Sequence, residues 1–179
     1  MAPHPSSIES SISIKDRIIQ LSELLTEKKW KEADEETSKI LLQAASQEER
    51  GWLQRDDIEQ LDSDILLKVD EIWLNHSQNN LGFSVQKFIW EQIQKNSNSH
   101  LSYTEKKKEF AKQLRWYVEK KGGKGETITK AQIVWSFAAQ IQGYLPTPPP
   151  AMTGDNVIKV CVTLALVERL AKCKQQSIN

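Results

Sequence analysis

Proline is missing from the interior of this 179-residue chain: all six prolines (Pro3, Pro5, Pro146, Pro148, Pro149 and Pro150) fall outside Ser6 to Leu145. A span of that length without its strongest helix breaker leaves helices free to run. Histidine is scarce too. The three present (His4, His76, His100) stand alone in polar stretches, with no second ligand at the spacing a zinc site needs. Cysteine is limited to Cys161 and Cys173, which one helix would hold about 18 Å apart, too far to pair. A reducing compartment is the simplest inference. No apolar run approaches the roughly 18 residues that cross a bilayer, and the first residues, MAPHPSSIESS, lack the pattern of a signal peptide. Nor is there an excess of either charge. The 24 basic and 24 acidic residues cancel, which removes the overall footprint of a nucleic-acid or anionic-membrane binder. A cytoplasmic protein without a membrane span or nucleic-acid partner is expected.

Catalytic signatures are missing as well. The segment GGKGET contains Lys124, but a phosphate-binding loop needs that lysine directly before Ser or Thr and after a strand, whereas Gly125 follows it here. No serine occupies a nucleophile elbow and no cysteine has an evident general base. Paired carboxylates occur only on charge-rich faces. An enzyme is not expected.

What the chain does have is helical periodicity. Ile14, Ile18, Leu21 and Leu25 give a first helix. From Lys31 to Ala45, Ala33, Thr37, Ile40, Leu41 and Ala44 face one way, and Glu32, Asp34, Glu35 and Glu36 are expected to form a solvated N-terminal face favoured by the helix dipole. A short helix near Asp56 to Leu61 is followed by a longer one capped by Ser63, with Ile65, Leu66, Val69, Ile72 and Trp73 in its stripe.

The central stretch is Leu81 to Trp90, LGFSVQKFIW. Gly82 permits a tight entry, Ser84 is a candidate cap, and Val85, Phe88, Ile89 and Ile93 form the apolar stripe. Phe83 either staples the helix start or lines a cleft beside it. A further helix carries Phe110, Leu114, Trp116, Tyr117 and Val118, ends in Lys120 and Lys121, and stops at Gly122, Gly123 and Gly125. Thr129 is expected to cap the next, with Ile133, Val134, Phe137, Ala138 and Ile141 inward. The expected fold class is all-α, a compact multi-helix bundle.

The expected organisation is a flexible tail over 1–13, a helical domain over 14–146, a proline-rich linker over 147–154 and a C-terminal helix over 155–179 packed on the domain. Cys161 falls on the apolar side of that last helix and is expected to be buried. Six tryptophans (Trp30, Trp52, Trp73, Trp90, Trp116, Trp135) are well above ordinary usage. Most should be core, while those at helix ends beside loops are suited to lining an apolar cleft.

Several short segments in order carry a resemblance: WKEADEET (Trp30 to Thr37), Trp52 with Leu53, VDEIW (Val69 to Trp73), Ser77, GFSVQK (Gly82 to Lys87), Phe110 with Trp116, GYLP (Gly143 to Pro146) and LAKC (Leu170 to Cys173). Together they resemble the genomes-uncoupled tetrapyrrole-binding family, the porphyrin-carrying activators of magnesium chelatase in oxygenic phototrophs, over roughly Ile14 to Lys174. The resemblance implies an all-helical fold shaped like a cupped hand and non-covalent binding of protoporphyrin IX or Mg-protoporphyrin IX on an apolar palm. It implies regulation of chlorophyll-branch synthesis with a magnesium chelatase subunit or another tetrapyrrole enzyme as partner, peripheral to photosynthetic membranes.

Leu74 and Phe83 align with palm residues of the family, and Trp116 with the tryptophan before its ligand loop. Tyr117, Trp135 and Tyr144 join them by position, and Lys120, Lys121 or Lys124 are candidates to meet propionates as point charges. Phe83→Ala is accordingly expected to weaken pigment binding more than thermal stability. The chain departs from the family pattern at Leu61, Asp62 and Ser63, where Phe-Pro-Cys is usual. It departs again at Arg115, Trp116 and Tyr117, where Gly-Trp-Arg is usual, and within AQIQGYLP (Ala139 to Pro146). The alternatives kept are a bilin-binding paralogue and a protein-interaction module that has lost the pigment. A covalently held bilin is disfavoured by the expected burial of Cys161. A bilin-modifying enzyme is a third reading.

Overall fold

The computed structural model describes residues 12–96, 100–120, 125–150 and 160–176. Its helices are α1 (Ile14–Thr26), α2 (Trp30–Ala44), α3 (Arg55–Glu59), α4 (Ser63–His76), α5 (Phe83–Lys95), α6 (Tyr103–Gln113) and α7 (Val160–Gln176). A two-stranded antiparallel hairpin, β1 (Tyr117–Glu119) with β2 (Gly125–Thr127), and two 3-10 turns, Lys130–Gln132 and Trp135–Gln140, lie between α6 and α7. The all-α expectation holds. Part of the expected linker, residues 151–154, and the start of the expected last helix, 155–159, lie outside the described residues, as does most of the N-terminal tail.

Local chemistry sets the helix ends. The Ser13 hydroxyl accepts from the Asp16 amide at 3.2 Å to start α1, and Asp62, one residue before the expected Ser63, caps α4 by accepting from the amides of Asp64 and Ile65. Ser102 and Glu105 form a reciprocal capping box on α6. α1 packs on α2, α4 on α1, and α7 on α3, α4, α5 and α6. The core between them contains Trp73, Trp116, Phe83 and Phe110, all fully buried. Trp73 stacks on Trp30 at 6.4 Å and donates its indole N–H to Thr37 at 2.9 Å; Trp90 meets Phe110 edge to face at 5.6 Å.

Four further expectations need correcting. Asp34 and Glu36 are not solvated: they are 0% and 2% exposed. They sit on the flanks of the α2 stripe, where partners from elsewhere in the fold satisfy them, Arg17 at 2.7 Å for Glu36 and Thr147 for Asp34. Phe88, placed in the stripe of α5, is exposed.

The expected helix through Lys121 ends at Gln113, and Tyr117 to Glu119 turn instead into a strand paired Tyr117 with Thr127, Val118 with Glu126 and Glu119 with Gly125. A Cβ at Gly125 would run into the Tyr117 ring, so glycine is what lets the strands close. The expected helix after Thr129 is two short 3-10 turns, and of its inward residues Val134 and Phe137 point outward, 50% and 54% exposed.

Candidate ligand-binding region

Several of the segments that carried the resemblance, VDEIW, GFSVQK and GYLP, meet around the N-terminus of α5. Gly82 has φ +132, and a Cβ there would sit 3.1 Å from Asp70 Oδ1 and 3.5 Å from Leu74. The cap of α5 is therefore not Ser84 but Asp70 of α4, whose Oδ1 accepts from the Ser84 amide at 2.8 Å; its Oδ2 takes the Ser84 hydroxyl, and Lys174 of α7 donates to it at 3.3 Å.

One turn on, Gln86 is fully buried and donates its amide N–H groups to Gly143 O and Pro146 O, both at 2.9 Å. The Gly82 amide donates to Leu145 O at 2.9 Å, and the Gly143 amide to Asn80 O at 2.8 Å. The chain from Gly143 to Thr147, with its cis Leu145–Pro146 bond, is thereby clasped inside the core. Its far end is held by Asp34, which accepts from the Thr147 amide and hydroxyl, both at 2.6 Å.

That clasp fixes where the expected ligand residues go. Phe83 and Trp116 are fully buried and Tyr144 is 2% exposed; Trp116 donates its indole N–H to Tyr144 O at 3.0 Å. These three belong to the core, which closes over them. Leu74, Tyr117 and Trp135 are half-buried against that core. Leu74 is half-open at a cleft of about 430 Å3 shared with Asp70 and Lys174. Lys120 is exposed and ion-paired to Glu126 at 2.6 Å. Lys124 lies outside the described residues.

Tyr144 joins two surface segments that sequence reasoning kept apart. Its carbonyl holds Trp116, the residue before β1, and its hydroxyl accepts from the Val134 amide at 3.1 Å. Burial disfavours the phenolate and raises the Tyr144 pKa above its ordinary value. Val118 on β1 and Val134 and Phe137 on the 3-10 segment expose apolar side chains. Between the end of α6 and residues 140–142 runs a cleft of about 530 Å3 whose lining is mostly polar, Lys112, Gln113 and Arg115 among it, with Ile89 and Ile141 as its apolar residues.

Lys112 is tied to Glu119 at 2.6 Å, a bond that raises the lysine pKa and lowers that of the carboxyl. Lys108 and Lys112 lie 5.0 and 5.8 Å from the Tyr117 ring centre. Residues missed from sequence are Val118, Val134, Phe137 and Arg115. The alternation in YVE and the β-branched ETIT beyond the glycines were the signal for a hairpin.

Cys161 is exposed, not buried, and lines a mainly apolar groove of about 440 Å3 with Trp52, Leu53 and Ile58, while Cys173 is buried. Its expected burial therefore no longer argues against a covalent pigment. No three His, Cys, Asp or Glu side chains gather closely enough to hold a metal ion among the described residues. Nor is any described helix long and apolar enough to cross a membrane.

The fold is an all-helical domain in which a short hairpin and a 3-10 segment, linked through Tyr144, expose Val118, Val134 and Phe137. A sequence model of the GUN4-like family matches residues 13–162, and the chain belongs to that family. It is 30% identical over 73 residues to the chloroplastic tetrapyrrole-binding protein of Arabidopsis thaliana, covering 40% of this chain and 28% of that one. It is 33% identical over 78 residues to the uncharacterized protein ycf53 of Cyanidium caldarium, covering 42% of this chain and 33% of that one. These matches thus span a third of those relatives or less. In three dimensions the chain is similar to ligand-free GUN4 of Arabidopsis thaliana, with a TM-score of 0.63 and 21% identity over 89% of this chain and 96% of that one. GUN4 of Chlamydomonas reinhardtii gives a TM-score of 0.61 and 22% identity over 92% and 94%. Both likenesses concern the fold.

Proposed function

We propose that this chain binds a tetrapyrrole non-covalently, protoporphyrin IX or Mg-protoporphyrin IX, on the surface formed by the hairpin, the 3-10 segment and the adjoining cleft. In this reading it is a non-catalytic, cytoplasmic regulator of the chlorophyll branch that acts on a magnesium chelatase subunit. The observation that carries the reading is family membership across residues 13–162, since a relative in sequence bears the name tetrapyrrole-binding protein. The open apolar groups Val134 and Phe137, joined through Tyr144 to the hairpin, supply a surface of the right character.

A flat macrocycle burying on the order of 350 Å2 of apolar area gains roughly 9 kcal/mol gross, less ordering and association costs, which is compatible with micromolar affinity. Titration with protoporphyrin IX, its magnesium complex and biliverdin, followed by tryptophan quenching and pigment absorbance, is the test. Saturable binding of a porphyrin supports the reading; saturation by biliverdin alone transfers it to a bilin. Phe137→Ala is expected to weaken porphyrin binding about five- to tenfold with little change in melting temperature, because the side chain is exposed in the free protein.

The second reading, an interaction module without pigment, is favoured by the burial of Phe83, Trp116 and Tyr144. No saturable change with any of the three pigments would establish it over the first.

A further inference from the structure

The end of α6 carries an uncommon residue at a position where backbone geometry favours glycine. The Arg115 amide donates to Lys112 O at 3.0 Å and the Trp116 amide to Ala111 O at 2.8 Å, the paired bonds of a Schellman motif. Arg115 occupies its left-handed position, with φ +57. A side chain there is mildly strained, as it is at the same position after α1 and α2, where Lys28 has φ +58 and Ser46 φ +54, so what sets Arg115 apart is where its side chain stands.

The group placed is a guanidinium on the lining of the 530 Å3 cleft, exposed and without a hydrogen bond or ion pair among the described residues. The other cation on that lining is Lys112, and it and two further lysines are engaged. Lys112 is held by Glu119, Lys120 by Glu126 and Lys130 by Asp34. The carboxylate on the same lining, Glu109, accepts from Gln113 at 3.1 Å. Ile89, itself buried, and the half-buried Ile141 are the apolar residues of a lining that is otherwise polar. A planar fork of N–H donors with no partner of its own matches a ligand that is anionic at its edge.

We propose that Arg115 is the carboxylate-recognition residue of this chain, pairing with an acidic side arm of the tetrapyrrole while the macrocycle lies across the cleft. The inference rests on the tetrapyrrole reading and replaces Lys120 and Lys124 as the anion contact. It also makes the two requirements at position 115 oppose each other. Glycine satisfies the backbone, and arginine satisfies the ligand.

The test compares protoporphyrin IX with its dimethyl ester, which keeps the macrocycle and removes both anionic charges, in one detergent, against the natural protein, R115G and R115M. The natural protein is expected to prefer the diacid by about two- to fivefold, the worth of an exposed charge pair. Both variants are expected to lose that preference while binding the diester unchanged. R115G is expected to melt at a higher temperature than the natural protein, so its loss of affinity is not a failure to fold. If the variants keep the diacid preference, or the natural protein shows none, the inference falls and the tetrapyrrole reading stands. If the natural protein binds neither compound, the tetrapyrrole reading falls and takes this inference with it.

Discussion

Phe83 shows how a residue of one chemical type serves either stability or binding according to what surrounds it. At 0% exposure, beneath the start of α5, it is a staple of the core. Phe83→Ala is therefore expected to cost about 3–5 kcal/mol, read as a fall in urea midpoint, which reverses the order expected from sequence.

Asp34 was misplaced for a related reason. Its neighbours in the run ADEET mark an acidic helix start, but nothing local announces that Thr147 will reach it from the other end of the domain. Tyr144 yields a pH prediction. Its pKa is raised because burial disfavours the phenolate, so the folded chain holds that proton more tightly than the unfolded one. That contribution is fully present below the ordinary value of 10.0 and is lost as pH rises beyond it. Tyr144→Phe removes the acceptor for the Val134 amide and should be about 1 kcal/mol less stable at pH 8. The gap to the natural protein should narrow toward pH 11 in chemical denaturation.

At the scale of elements, α5 and the chain from Gly143 to Thr147 act as one unit. Gln86 bridges two carbonyls that would otherwise be buried without donors. Gln86→Leu is expected to cost about 2–4 kcal/mol, since two buried acceptors lose their partners at once, and the thermal melt is the measurement.

The helices with strong stripes were legible in sequence because a 3.6-residue period survives any tertiary arrangement. The hairpin and the 3-10 turns were not. Their segments, Tyr117 to Thr127 and Lys130 to Gln140, are too short to show a period, and the tertiary bonds Ile128 N–H to Trp116 O and Val134 N–H to Tyr144 Oη settle their conformation. The candidate site lies on these segments, so it was the least readable part of the chain.

At the scale of the whole molecule, α7 completes the core. Leu164, Leu166, Leu170 and Cys173 are buried, α7 packs on four other helices, and Lys174 meets the buried Asp70. Truncation after Pro150 would expose that face and leave Asp70 without its cation. The shortened chain is expected to lose cooperative unfolding in urea and to bind a hydrophobic dye.

By itself the sequence determined the helical class, the helices with a clear stripe and, through short segments in order, the family, because periodicity and motif order are properties of the chain alone. Tertiary structure decided which motif residues are buried and which stay open to solvent. It turned Asp34, Asp70, Phe83, Gln86 and Trp116 inward as a clasp around the Gly143 to Thr147 segment, and left Val118, Val134, Phe137 and Arg115 on the outside. The physical reason is that burial depends on partners distant in sequence, and no local pattern carries their position.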